Sequence, residues 1–233
     1  MTFFVGWSPR SALPLSRFLT SAAIAVFALF GALAFGLGVA IDDPGGGGFT
    51  GDKDVTGVLI ADPYPMLVVN GHTILLSGGG KRGVQDDARP LDGKTVRVTG
   101  AGVKRGDLDM ILVGALEATP GEAPAIVPVP LGSWRLTGEI CDGKCALGVM
   151  HPGRSLAHKA CANVCLIGGV PPVLATTSPV LGTSYLLIGG ADDRALPDAL
   201  RDHVAILSRM DGTLERIGDA LLFRTDVTKA ETP

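Results

Sequence analysis

Residues 55–77, VTGVLIADPYPMLVVNGHTILLS, hold three short apolar runs separated by turn signals. Asp62-Pro63 parts the first run from the second, and Asn70-Gly71 parts the second from the third. An Asn-Gly pair between two apolar runs is a strong hairpin signal, because both residues accept the positive φ of a two-residue turn. Further along lies a glycine-rich polar stretch, GGGKRGVQDDARPLDG. Then comes KTVRVTG (94–100), where Val96 and Val98 alternate with Arg97 and Thr99, and LDMILVGAL (108–116). Turn residues 104–107 join the last two. Five short strands with a connector before the fourth match a five-stranded Greek-key barrel of the OB type. Closure removes the sheet edges and buries one inward row of side chains per strand.

The pattern returns in the C-terminal half. RLTGEIC (135–141) answers VTGVLIA, and SYLLIGG (184–190) answers TILLSGG. ALPDALRD (195–202), a short helix candidate, stands where the first copy has DDARPLDG. HVAILSR (203–209) answers KTVRVTG, and LERIGDALLFRT (214–225) answers VKRGDLDMILVG. The repeat is degenerate but keeps its order over five segments. The expected fold is mainly β: two tandem OB-like β-barrels, residues 54–118 and 134–228, joined by a proline-rich linker at 119–133. A single β-sandwich built from both copies is the alternative.

The N-terminal part has a different character. No charge occurs from Phe18 to Ile41, a run long enough to cross a hydrocarbon core of about 30 Å as a helix. Arg10 and Arg17 precede the run, and Asp42 and Asp43 follow it. The positive-inside rule then places a tail at 1–17 in the cytoplasm, a transmembrane helix at 18–41, and everything after a flexible linker at 42–53 outside it. A cleaved signal peptide is the alternative, with Gly38 and Ala40 as small residues at a cleavage site. The run is longer than the usual h-region, so a retained anchor is expected. Ala28, Ala32, Gly36 and Ala40, spaced by four, lie on one face and suit close approach of a second helix.

The two copies differ most between their first and third strands, where the second carries an insertion at 141–173. All four cysteines fall in it: Cys141, Cys145, Cys161 and Cys165, with His158 three residues before Cys161. Outside the cytoplasm thiols oxidise, so two structural disulfides are one expectation. A metal site is the other. Cys145, His158, Cys161 and Cys165 make a Cys3His set suited to zinc, and all four cysteines suit zinc or an iron–sulfur cluster. If 158–165 is helical, His158, Cys161 and Cys165 share a face. The first expectation is a disulfide staple with no cofactor; zinc or iron–sulfur is the alternative.

The run GEICDGKCALGVMHPGRSLAHKACANVCLIGGVPP (138–172) resembles a segment of bacterial periplasmic or membrane-anchored proteins. Gly138, Glu139, Asp142, Cys145, His158, Cys161, Ala162, Cys165, Gly168, Gly169 and Pro171 carry the resemblance. Cys141 stands where that pattern has an apolar residue, which marks it as an extra cysteine. The resemblance covers about one sixth of the chain and implies no established activity.

The net charge of −3 gives no basic field for nucleic acid. The sequence holds no serine-nucleophile motif, HExxH or dinucleotide fingerprint. Gly45–Gly48 and Gly78–Gly80 lack a phosphate-loop context and read as linker and turn. Asp86-Asp87 and Asp192-Asp193 read as solvated caps, Met150-His151 as an exposed turn, and Trp134 as a packing residue. A non-enzymatic accessory subunit of a membrane assembly is therefore expected, in a respiratory or photosynthetic electron-transfer complex of the bacterial inner membrane. Its partners would be integral membrane subunits. The alternative is a periplasmic metal-binding or redox protein centred on the Cys/His cluster.

Overall fold

A computed structural model describes residues 13–40, 45–192 and 195–233. The tail at 1–12, Ile41–Pro44, Asp193 and Arg194 lie outside the described residues, as does the side chain of Ala40. The chain divides into two compact units, Met1–Asp43 and Pro44–Pro233.

In the first unit, α1 spans Leu13–Ala40. Its stretch Leu15–Gly38 is long and apolar enough to cross a membrane, with a mean hydropathy of 2.2. Arg17 falls inside the helix, so the helical part begins before the expected Phe18. Ala28, Ala32 and Gly36 are exposed on it.

The second unit is mainly β, with strands β1 (Gly48–Ile60), β2 (Met66–Val69), β3 (His72–Ser77), β4 (Thr95–Arg105), β5 (Leu108–Ala118), β6 (Val129–Asp142), β7 (Pro172–Val180), β8 (Thr183–Gly190), β9 (Leu207–Ile217) and β10 (Ala220–Thr225). The first five close in the order β1-β2-β3-β5-β4, and β6 to β10 close in the same cyclic order. Each ring has one parallel pair, β3 with β5 and β8 with β10. Strands begin earlier than the sequence suggests: β1 starts within the glycine stretch read as linker, and β6 within the proline-rich one. In the fourth position of the second ring, β9 starts only at Leu207. The preceding residues form the short helix α5 (Leu200–His203) and a bend.

Equivalent details recur in the two rings. Asn70 and Gly71 both have positive φ, so Val69 pairs with His72 across a two-residue turn. Leu181 and Gly182 repeat the geometry between Val180 and Thr183, with leucine in the left-handed position. In the first strand of each ring, Gly57 and Gly138 pass a neighbouring carbonyl. A Cβ would come within 2.5 Å of Val68 O at the former and 2.6 Å of Ala175 O at the latter.

The apolar runs lack clean alternation because many strands are buried on both faces. Leu59, Leu67, Leu76, Val96, Val98 and Ile111 fill the first ring. Leu136, Ile140, Leu174, Leu186, Leu214 and Phe223 fill the second. The intervening residues point the other way. Met66, Val68, Leu75, Val103 and Met110 meet Val173, Ala175, Leu187, Ile217 and Leu222 in a third apolar core between the rings. Fully burying such side chains contributes roughly 1.5–3 kcal/mol each.

Polar contacts frame that interface. His72 Nε2 lies 2.7 Å from Asp109 Oδ2, and its Nδ1 lies 2.6 Å from Asp219 Oδ2 in the second ring. Burial opposes a charge on His72, but the two carboxylates outweigh it and raise its pKa. Tyr64 Oη accepts the Leu196 N–H at 2.8 Å. Trp134 packs against the second ring's core, with Nε1 donating to Leu131 O.

Candidate metal centre

The connection from the first to the second strand separates the rings. In the first it is the turn at 61–65. In the second it runs from 143 to 171 and contains α3 (Gly143–Ala146), a 3-10 turn at Leu156–His158 and α4 (Lys159–Ile167). Cys141 and Asp142 still belong to β6, and Pro172 and Val173 to β7.

Asp142 organises the start of this connection. Completely buried at the end of β6, it caps α3: Oδ1 accepts the Cys145 N–H at 3.0 Å. Its other oxygen, Oδ2, lies 3.0 Å from His158 Nε2. One carboxylate thus fixes the backbone of one donor residue and the ring of another. The bond to Nε2 leaves Nδ1 as the ring nitrogen with a free lone pair. Gly153 lets the chain return across α3, since a Cβ there would come within 1.8 Å of Cys145 O.

Cys161 and Cys165 lie a turn apart on α4 and face Cys145. The donor atoms of Cys145, His158 and Cys161 all lie within 4.8 Å of one another, as do those of Asp142, Cys145 and Cys165. Cys145 and Cys165 are buried and pack with Val170, while Cys161 is partly exposed. A hydrogen bond between Cys145 and Cys165 pushes the Cys145 thiol up and holds Cys165 down.

The expected disulfide staple is not seen: all four cysteines are free thiols. Cys145, His158 and Cys161 form one donor group, Cys165 joins Cys145 and Asp142 in a second, and Cys141 turns elsewhere. Cys141 Sγ lies 3.5 Å from Glu139 Oε1 and belongs to the core between the rings. Burial, reinforced by the Glu139 carboxylate, pushes its thiol well above the usual range.

Two residues that the sequence reading passed over complete the surroundings. Lys144, on α3, is buried, and its Nζ donates to the carbonyls of Gly78, Gly80 and Arg82 at 2.5, 2.6 and 3.3 Å. Three donors meet three acceptors, which satisfies the ammonium. Burial lowers its pKa, against the pull of Cys165, Asp142 and Cys145. The accepting carbonyls belong to the glycine-rich stretch after β3, read from sequence as a plain turn. Gly83 N–H donates to Gly168 O at 2.7 Å, at the end of α4. A Cβ on Gly168 would come within 1.8 Å of Lys81 O, so only glycine admits this approach. The loop thereby carries Lys81 over the thiols, with Nζ 2.9 Å from Cys161 Sγ and 3.9 Å from Cys165 Sγ.

The remaining sequence candidates lie apart. Met150 Sδ is 3.7 Å from Cys161 Sγ at the exposed edge, and His151 is exposed and outside the donor group. Asp86 and Asp87 are exposed on α2 (Gln85–Ala88), and Asp192 is exposed as well. Comparison of the chain with protein-family models, curated proteins and solved structures returns no match.

The donor chemistry fits a single soft or borderline divalent ion. Thiolate and imidazole are the ligands of structural zinc, and Zn–S bonds of 2.3 Å place sulfurs of a tetrahedral site about 3.8 Å apart. Cys145 Sγ lies within 4.8 Å of Cys161 Sγ and of Cys165 Sγ, which accommodates that separation for those two pairs. An iron–sulfur cluster spreads its ligands over different irons and needs them further apart. Charge points the same way. With three thiolates and the Asp142 carboxylate against Lys81 and Lys144, a divalent ion brings the group to neutrality, whereas Cu(I) leaves it negative.

Proposed function

We propose that this chain is a membrane-anchored protein whose folded body comprises two OB-like barrels stapled by a structural divalent metal centre, zinc by preference. Cys145, Cys161, Cys165 and the imidazole of His158 are its ligands. Asp142 is the carboxylate behind the histidine, an outer contact that fixes ring orientation and strengthens the donor. The observation that carries this reading is a pair of donor groups sharing Cys145, one with His158 and Cys161 and one with Cys165 and Asp142, with Asp142 also engaged on His158. Four protein ligands leave no open position for substrate, which favours a structural over a catalytic role.

Cobalt(II) titration of the full chain in detergent tests the reading. The expected result is saturation at one equivalent, with intense tetrahedral ligand-field bands and a thiolate-to-cobalt charge-transfer band. A weak octahedral spectrum would contradict it.

The second reading concerns partners. The exposed face of Ala28, Ala32 and Gly36 supports an accessory subunit of an inner-membrane assembly, respiratory or photosynthetic, with the barrels on the periplasmic side. The likeness of 138–172 to membrane-anchored periplasmic proteins supports the same placement. Replacing Ala32 and Gly36 by leucine should reduce co-purification of membrane partners, and unchanged co-purification would reject that helix face as an interface.

A further inference from the structure

Cys161 is the one partly exposed sulfur of the proposed donor set, and of these sulfurs it is the one nearest a lysine from the other barrel, whose Nζ also reaches Cys165 Sγ at 3.9 Å. Lys81 Nζ lies 2.9 Å from Cys161 Sγ and also reaches the Cys161 carbonyl at 3.4 Å. Among the described residues no carboxylate pairs with this ammonium. The lysine is not a chance surface contact, because its backbone is fixed on both sides. Lys144 holds the carbonyls of Gly78, Gly80 and Arg82. The Gly83–Gly168 hydrogen bond and the close approach at Gly168 hold the rest.

We infer that Lys81 guards the metal centre, tuning and shielding the Cys161 thiolate through a charge-assisted N–H···S hydrogen bond. The inference rests on the metal reading above. A donated hydrogen bond withdraws electron density from the sulfur. It stabilises the sulfur lone pairs, makes them poorer nucleophiles toward electrophiles, and offsets the surplus negative charge of three thiolates around a divalent ion. The exposed ligand is the one through which the centre would otherwise be attacked or stripped. A loop of the first barrel thus protects a site whose ligands all come from the second.

The test uses the full chain in detergent, loaded with cobalt(II) or zinc, as wild type, Lys81→Met and Lys81→Arg. Expected for Lys81→Met is retention of one cobalt per chain with the thiolate charge-transfer band moved to longer wavelength. Alkylation of Cys161, mapped by mass spectrometry, should accelerate about tenfold, as should zinc transfer to a chelator, in line with the effect of removing an outer-shell partner. Cys145 should keep its wild-type reactivity, Cys165, 3.9 Å from Lys81 Nζ, should change less than Cys161, and Lys81→Arg should restore band position and protection. An unmoved band with unchanged Cys161 alkylation overturns the inference. So does a uniform rise at all three cysteines, which would show that the loop merely covers the site. A wild-type chain that takes up no cobalt overturns the metal reading itself, and with it this role for Lys81.

Discussion

The two barrels share a strand order and even the two-residue turn between their second and third strands, yet their first connections differ completely. The first barrel passes from β1 to β2 through residues 61–65; the second uses 143–171. The short connection is held by a few hydrogen bonds, Ala61 N–H to Asp92 Oδ1 and Gln85 Nε2 to Ala61 O among them. The long one buries Ala146 and Leu147 in the core between the rings and Ala162 in the second ring's core, and adds a small cluster of Cys145, Cys165 and Val170 with Cys161 packed against it. The proposed metal centre would add to these apolar contacts. A barrel thus tolerates a long excursion when it is anchored at several points, here by burial of Ala146, Leu147 and Ala162 and by the buried Asp142–His158 contact. Here the first barrel assists, since its glycine-rich loop closes over the excursion.

The comparison breaks most completely when a donor is removed. Cys145→Ser or Cys165→Ser should bring bound zinc from one equivalent to near none, while Cys141→Ser leaves it at one. Hydrogen exchange should then rise across 143–171 and at 78–83, and stay low in β1 to β5 outside that loop. An insertion protected as well without metal as with it would show that the donors are not what fixes it.

Apolar truncation acts next, and on both copies alike. Leu76→Ala and Leu186→Ala each remove a fully buried leucine, one from each interior. Each should cost about 2–5 kcal/mol in chemical denaturation. A loss below about 1 kcal/mol at either would remove that barrel from the set of close-packed cores.

Asp142→Asn keeps the cap on Cys145 but weakens the partner of His158. Competition with a chelator should show zinc affinity lower by about 10–100-fold. Equal affinity would place Asp142 outside the centre's support.

Smaller effects separate the paired turns and the interface. Leu181 sits at positive φ where the first barrel has Asn70. Leu181→Asn should raise stability by up to about 1 kcal/mol, because asparagine accepts that conformation more readily. A loss of stability would mean that the exposed leucine has a packing role. At the interface, the pKa of His72 is raised in the fold, so its contribution is fully present below the unfolded value and is lost as pH rises through the folded one. Asp219 is lowered despite burial, by the His72 hydrogen bond among others, so its contribution is lost as pH falls through its folded value. Stability should therefore decline modestly as pH rises above the ordinary histidine range, and His72→Gln should flatten that limb. A decline that persists in His72→Gln would assign it to other groups.

Much of the first barrel was legible because its signals are local. Asn70-Gly71 specifies its own turn, and the alternation around Arg97 marks a half-exposed strand. The second ring was traceable only by its likeness to the first, and the start of β9 was misplaced because Val204 and Ala205 are buried outside a strand. Among the cysteines, spacing picked out the Cys3His set but could not choose between an ion and a disulfide. That choice depends on where Cys141 points, which the strand register decides. Lys81 and Lys144 were invisible for the same reason. Their partners lie 80 and more than 60 residues away in the chain, so no local pattern marks them. The only sequence hints were a lysine inside a glycine run and another between an acid and a cysteine.

Elemental analysis of the full chain, purified in detergent without added metal and combined with thiol counting, tests the central claim most directly. The account predicts one zinc per chain, no disulfide, and four titratable thiols once the protein is chelated and denatured. A chain that carries no divalent metal, or that holds Cys145 and Cys165 in disulfides, would contradict it.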